Sequence, residues 1–349
     1  MREYIRGVRR LRPVWALIAI ICLTMLLQTS CVHEWPDPLE TREVTLTVHH
    51  ELPWAYRDFN TGIGLDTRSE EEDLVVRYIY RVYPSGTTEI PVSEHIEYRS
   101  DLGLSDFTTV LDVPSGDYDI WVWSDYVRKD SSTGLYYNAG IFRSVTYTSP
   151  YHGETMRKDA FSGKAYVSVP SSIDGEVTVT GDLTLRRPLT GYVFVSSDLS
   201  EFVKGEIARR KLPSPEESTS EASLPDLDFT GYRVKVSYTG YLPSEYDIFK
   251  GKPVDSATGV TYEAEIRALS PTEASVGFDL FFINGTESSV RVAVDIYAPD
   301  GERIAGTQNI DIPVSLSTLT IVRGNFLTTK ASGGVGISPD FEGEFNIQI

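Results

Sequence analysis

The stretch DLVVRYIYRVY, residues 73–83, is the strongest constraint on what this chain can fold into. Leu74, Val76, Tyr78, Tyr80 and Val82 recur at every second position, with Val75, Arg77, Ile79 and Arg81 between them. A period of two puts alternate side chains on opposite faces of a strand, so the segment reads as a half-buried β-strand. TREVTLTVHH, residues 41–50, repeats the pattern with Val44, Leu46 and Val48 on one face. In LDVPSGDYDIWVWSDYV, residues 111–127, a Pro-Ser-Gly turn precedes a strand that is apolar on both faces, Tyr118, Ile120 and Val122 one way and Trp121 and Trp123 the other. Such a strand is central, or covered on both sides.

Further β-rich segments follow at 165–169, 175–185 and 191–196, and from Tyr232 onward strands dominate: YRVKVSYTG, VTYEAEIRAL, SVGFDLFFING, VRVAVDIYA, LTIVRGNFLTT and EFNIQI. APDGER between two of them reads as a hairpin turn. One helix is predicted over 198–211, from the stripe Leu199, Phe202, Val203 and Ile207 and the basic residues of its last turn, with Ser197 or Asp198 as its cap. KLPSPEESTSEASLPDLD, residues 211–228, is too polar to bury much surface and reads as a mobile insertion. Short strands at this spacing favour an all-β chain of two β-sandwich domains over a layered α/β fold. The first domain is expected over 39–184 and the second, with the helix and the insertion, over 185–349.

The first thirteen residues carry five arginines and one glutamate, residues 14–27 are an apolar run, and Gln28, Thr29 and Ser30 lead into Cys31. Basic, apolar and small-residue regions in that order make residues 1–30 a secretory signal. The apolar run falls short of the roughly 20 residues a spanning helix needs, so a permanent membrane helix is the weaker reading. Cys31 stands where bacterial lipoproteins place their acylated cysteine, and the stretch resembles a lipobox. It departs from one in having Gln28 three residues before the cysteine, with Leu27 one position further out. On this reading Cys31 carries the lipid, palmitate included, and residues 31–38 are a tether; the alternative is an ordinary signal peptide with Cys31 left as a free thiol. Cys22 lies inside the signal, so no disulfide is available and core burial must hold the exported chain together.

Removing the signal takes Lys+Arg from 32 to 27 and Asp+Glu from 50 to 49, moving the formal charge from −18 to −22. Such a surface repels phosphate backbones and anionic headgroups. No nucleic-acid partner is expected, and an anchor in the outer membrane must be its acyl chains.

Catalytic patterns are missing from the sequence. The five histidines, His33, His49, His50, His95 and His152, follow no HExxH spacing, and His49 and His50 on one strand point to opposite faces, so no metal is expected. There is no G-x-S-x-G and no P-loop, and SGGVG at 332–336 lacks the strand-to-helix setting of a dinucleotide fingerprint. No catalytic residue or cofactor is assigned, and Asp and Glu are too frequent for any one pair to point to a glycosidase. Trp121, Trp123 and Tyr126, with Tyr136 and Tyr137, form an aromatic neighbourhood that either packs in a core or stacks on sugar faces.

RRPLTGYVFVSSDL at 186–199 and PSGDYDIWVWSDYV at 114–127 resemble strands of the fimbrillin-like outer-membrane lipoproteins of Bacteroidales. CVHEWPDP at 31–38, YTGYLPSEYDIFKGKPVDSATGV at 238–260 and the tail from Leu327 to Ile349 look like one uncharacterised branch of that superfamily. The resemblance implies two tandem transthyretin-like, Greek-key sandwiches, a lipid anchor with exposure on the cell surface, and partners among other fimbrial subunits. It also implies assembly by strand exchange, in which one subunit accepts a strand from the next, and cleavage after an arginine in stalk subunits, for which Arg42 and Arg57 are both available. Two segments have the form of an exchanged strand. One carries Val44, Leu46 and Val48; the other carries Phe345, Ile347 and Ile349. The competing reading of both is pairing within their own sandwich. A stand-alone surface lipoprotein binding glycan or host protein is the alternative function.

Overall fold

The structure, a computed structural model, describes residues 41–51, 73–131, 133–171, 179–210, 227–307 and 309–330, together with the backbone of 344–346. The signal, Cys31, the tether, residues 211–226 of the insertion, Ile347 and Ile349 lie outside the described residues.

The chain is all-β. Its first sandwich uses β1 (Thr41–His50), β2 (Leu74–Pro84), β3 (Ser93–Arg99), β4 (Phe107–Pro114) and β5 (Gly116–Arg128). After two short strands, β6 (Tyr137–Asn138) and β7 (Val145–Tyr147), it is completed by β8 (Ala160–Val169) and β9 (Val179–Leu185). One sheet has the order β3-β2-β5-β8 and is antiparallel throughout; the other has the order β4-β1-β9, with β1 and β9 parallel. The chain changes sheets between β3 and β4 and returns at β5. The residues singled out by the period of two meet between the sheets: Val44, Leu46 and Val48, then Val76, Tyr78, Tyr80 and Val82, then Ile120 and Val122.

The second sandwich follows with β10 (Leu189–Ser196), α1 (Leu199–Arg210), β11 (Arg233–Tyr238), β12 (Leu242–Asp247), β13 (Lys252–Ala257), β14 (Thr261–Ala264), β15 (Arg267–Ala268) and β16 (Ala274–Phe282). It ends with β17 (Glu287–Tyr297), β18 (Arg303–Gly306), β19 (Ile310–Ser315), β20 (Leu319–Gly324) and β21 (Glu344–Asn346). A sheet of order β15-β16-β10-β20-β21 packs on one of order β14-β11-β17-β18, in which β19 also pairs with β17. In α1, Leu199, Phe202 and Val203 are buried as the stripe predicts. Asp198 stands at the expected cap position, its carbonyl accepting the Phe202 N–H at 3.0 Å, while its carboxylate accepts from the backbone N–H of Thr328 at 2.8 Å and from its hydroxyl at 2.6 Å, fastening the turn after β20.

A third core joins the two sandwiches. Ile79 and Trp123 from the first pack with Leu189, Val193, Val195, Phe278, Leu280 and Phe282 from the second. A small sheet of order β13-β12-β7-β6 draws strands from both halves, and residues 42–349 form one compact unit. Because cores lie on both sides of them, β10 and β16 are buried at every position. β2 likewise differs from the half-buried strand expected, since its arginine face also points into the junction and Arg77 is 6% exposed.

β16 reaches both cores by a change of phase. Ala274 and Val276 face the second sandwich's core, whereas Phe278, Leu280 and Phe282 face the junction. The register slips between Val193 and Val195 of β10, so that β16 carries an extra residue there, and Gly277 lies in the slip with φ +139°. Only glycine adopts that conformation without strain, and a bulge of one residue turns every later side chain to the other face.

Candidate functional site

β1 fills the middle of its three-stranded sheet. It is hydrogen-bonded to β4 on one side and runs parallel to β9 on the other, from Val44↔Val179 to His50↔Leu185. Val44, Leu46 and Val48 are 0% exposed. At its end the two histidines diverge. His50 turns inward, with Nε2 3.1 Å from the Tyr78 hydroxyl and its ring edge-on to Phe161, and burial pushes its pKa down to about 4. His49 turns outward and places Nδ1 2.8 Å from the Asp106 carboxylate. The two rings thus lie on opposite sides of the strand, as alternation predicts.

β21 stands at a sheet edge. It pairs in parallel with β20, placing Glu344, Phe345 and Asn346 opposite Ile321, Val322 and Arg323. Val322 is fully buried in the second sandwich's core. The two terminal strands thus hold different positions, one interior and one at the rim.

The aromatic neighbourhood is engaged in packing. Trp123 is fully buried and edge-on to Tyr137, with ring centroids 5.4 Å apart. Trp121 is half-buried, edge-on to Phe249 at 5.2 Å, with Lys164 Nζ over its ring. Tyr126 is 5% exposed and donates its hydroxyl hydrogen bond to the Leu102 carbonyl at 3.2 Å.

The structure adds a polar hub that sequence reasoning missed, on the side of β16 that faces the second sandwich's core. Asp279, in the middle of β16, accepts from Lys158 Nζ at 2.8 Å, from the Tyr151 hydroxyl at 2.5 Å, from the Tyr238 hydroxyl at 2.6 Å and from the Leu280 N–H at 2.8 Å. Lys158 Nζ also lies 3.8 Å from the centroid of the Tyr151 ring. Burial pushes the Lys158 ammonium down to about 8, against the attraction of Asp279. Two more buried pairs accompany it: Arg77 holds Asp125 at 2.9 and 2.7 Å, and Arg187 holds Asp159 at 2.7 and 2.8 Å. A charge is retained in such a place only when paired and hydrogen-bonded. The signal available in the sequence was Asp279 itself, one carboxylate inside the apolar run SVGFDLFF.

Glu154 borders the hub. Its backbone N–H donates to the Phe278 carbonyl at 3.0 Å, and its carboxylate accepts the Phe278 N–H at 2.9 Å. Burial raises its pKa to about 7, against the pull of Arg267 at 3.7 Å. A carboxyl whose pKa is raised on folding adds stability below its unfolded value, and that stability is lost as pH climbs through the folded value. Glu154→Gln is therefore expected to raise the stability measured by urea unfolding at pH 8 by at most about 3 kcal/mol, and the gain should fade towards pH 4. A gain independent of pH would show that the carboxyl does not titrate there.

Among the described residues no group of His, Cys, Asp and Glu side chains is arranged to hold a metal ion, and no helix is long and apolar enough to cross a membrane.

A model for a family of unknown function, DUF6562, matches residues 38–349. No curated protein matches the sequence. Among solved structures, the fimbrial anchor protein Mfa2 from Porphyromonas gingivalis is similar at 12% identity and a TM-score of 0.39, over 76% of this chain and 82% of that one. A fimbrial assembly protein from Parabacteroides distasonis is similar at 11% identity and a TM-score of 0.38, over 88% and 98% of the two chains. The tip fimbrial protein Mfa3 from Porphyromonas gingivalis is similar at 11% identity and a TM-score of 0.35, over 78% and 81%.

Proposed function

The chain belongs to the DUF6562 family, of unknown function, and from that premise we propose that it is a non-enzymatic, lipid-anchored protein of the cell surface that serves as an anchor or accessory subunit of a fimbria-like fibre. Its two sandwiches act as domains over 39–184 and 185–349, and its neighbours in the fibre join it by strand exchange.

The observation that carries this reading is the place of β1. A strand near the N-terminal side fills the centre of a sheet, so exchanging it opens a groove with two unpaired edges, on β4 and β9, above three vacated apolar positions. The position also separates the two candidate cleavage points. A cut after Arg42 leaves Val44, Leu46 and Val48 on the chain, whereas a cut after Arg57 removes all of β1. A basal subunit keeps β1 and meets its neighbour through another edge, for which β21 at the rim of its sheet is placed. Cys31, following the signal, supplies the link to the outer membrane.

A second reading, a stand-alone surface lipoprotein that binds glycan or host protein, is favoured by one observation: β1 and β21 both pair within their own sandwich.

Shearing the surface of native host cells and separating fibres from membranes tests the proposal. Mass spectrometry should find the chain in high-molecular-mass fibres beside other subunits, and Cys31→Ala should leave the membrane fraction in the absence of detergent. The chain found only in membranes, while fibres are present, overturns the fibre role; Cys31→Ala still bound to membranes overturns the anchor.

A further inference from the structure

We propose that a cleft on the outer face of the second sandwich binds an acidic oligosaccharide, one whose sugar rings carry carboxylates. The proposal does not depend on fibre assembly.

The cleft follows from strand alternation. Val234 and Val236 of β11 point into the core, so Arg233 and Lys235 point away from it. The register places Lys235 beside Glu263 of β14 and Arg233 beside Tyr297 of β17. Pro150 and Tyr151, from the segment after β7, rise as a wall on this face, and the cleft they close measures about 660 Å³. Ligand sites run from roughly 300 to 1,000 Å³.

Its charge runs against that of the molecule. In a chain of formal charge −18 the cleft presents Arg233 and Lys235 against one carboxylate, Glu263. The Arg233–Glu263 pair is long, 3.7 Å, with the two side chains 57% and 69% exposed, and such a pair contributes little. Asp295, the other carboxylate beside Lys235 in the register, is taken by Arg303 at 2.5 Å. Lys235 has no ion-pair partner among the described residues. Lys235 is therefore open to an anion from solution, and Arg233 is held only by the long pair with Glu263 and by the Tyr297 ring, whose centroid lies 6.0 Å from its guanidinium carbon.

The walls are set in advance. Tyr151 is held by its hydroxyl on Asp279, and Tyr262 by its hydroxyl 3.2 Å from that of Tyr192. Gly153 lets the wall segment sit on the Tyr262 ring, since a Cβ there would lie 2.4 Å from it. Tyr262 is 5% exposed and backs the wall, so the half-buried rings of Tyr151 and Tyr297 are the surface left to meet the flat, C–H-bearing face of a pyranose, and ordering it in advance reduces what binding must overcome. The guanidinium of Arg233 offers a fork that matches a carboxylate, and Lys235 adds a point charge beside it. A polyphosphate or nucleic acid would meet the same two cations but also the repulsion of the acidic surface around them. A uronate-bearing sugar needs little charge and uses the rings.

Isothermal titration of the full chain, purified from membranes, with trigalacturonate, galactotriose and triglutamate tests the assignment. Trigalacturonate should bind at least tenfold more tightly than galactotriose. Arg233→Gln/Lys235→Gln, both changes at solvent-facing positions, should weaken trigalacturonate at least tenfold with an unchanged melting temperature. If that variant melts lower, Tyr297→Ala provides the second reading and should weaken binding of both sugars. Absence of trigalacturonate binding, or equal binding by the folded double variant, overturns the site. Triglutamate binding as tightly as trigalacturonate overturns the sugar assignment in favour of an acidic peptide.

Discussion

Asp279→Ala is expected to lower stability by about 3–5 kcal/mol, the range found when one partner of a buried ion pair is removed. The carboxylate accepts four hydrogen bonds, and its loss strands Lys158, 1% exposed, with the hydroxyls of Tyr151 and Tyr238 beside it. Lys158 is already pushed down to about 8 by burial, and without the opposing charge it moves lower still, so the variant should bury a neutral amine at neutral pH. Replacing both partners, as Lys158→Met with Asp279→Leu, should recover the part of the loss that comes from the stranded amine, because an apolar pair of similar volume needs no compensation, while the hydroxyls of Tyr151 and Tyr238 stay without Asp279. Urea unfolding of the unchanged chain, Lys158→Met, Asp279→Leu and the double variant closes a cycle that gives the coupling directly. A loss below 1 kcal/mol in Asp279→Ala would mean that water reaches the hub. The location gives the measurement a second use: Lys158 comes from the segment leading into β8 and Asp279 from β16, so the pair ties the first sandwich to the second. Weakening it should separate their unfolding transitions.

What the sequence discloses here depends on whether one strand or two halves of the chain carry the signal. The alternation in β5 reads correctly as a strand covered on both sides, and Ile120 and Val122 lie in one core while Trp123 lies in another. For β2 the same reasoning errs. Arg77 at an alternating position reads as solvent-facing, because a single strand says nothing of Asp125 on the strand beside it, which turns that position into a buried ion pair. In β16 the run SVGFDLFF is apolar throughout, and period alone cannot reveal that Gly277 reverses its faces midway. The small sheet of β6, β7, β12 and β13 was hidden for another reason: β6 and β7, of two and three residues, have no period, the six-residue β12 and β13 show no strict alternation of burial, and the β7–β12 pairing joins residues that lie far apart in the chain. The cleft was half legible. YRVKV shows which side chains leave the core, but not that Pro150 and Tyr151 would wall them in.

A chain shortened to begin after residue 51 is expected to lose the first sandwich as a folded unit and to weaken the second, whose β10 and β16 pack on it through the junction. Val44, Leu46 and Val48 are each fully buried, and burial of an aliphatic side chain is worth about 1.5–3 kcal/mol, so together they contribute roughly 5–9 kcal/mol before any strand hydrogen bond is counted. That is comparable to the whole stability of a domain, about 5–15 kcal/mol. The peptide TREVTLTVHH, added in trans, should restore the lost near-ultraviolet circular dichroism and protease resistance, because β4 and β9 need only an alternating strand between them and have no covalent requirement for their own. The same peptide with Leu46→Asp should fail, since its charge would enter the core unpaired. Deleting Glu344 to Ile349 makes the contrast. β21 pairs along one side over three residues, so its loss should leave both sandwiches folded. If the shortened chain folds with undiminished stability, β1 is dispensable and the groove is not a site of exchange. If it unfolds but no peptide rescues it, the sheet forms only with its own strand, and assembly must use the rim at β20, where a partner's strand could displace β21 without opening a core.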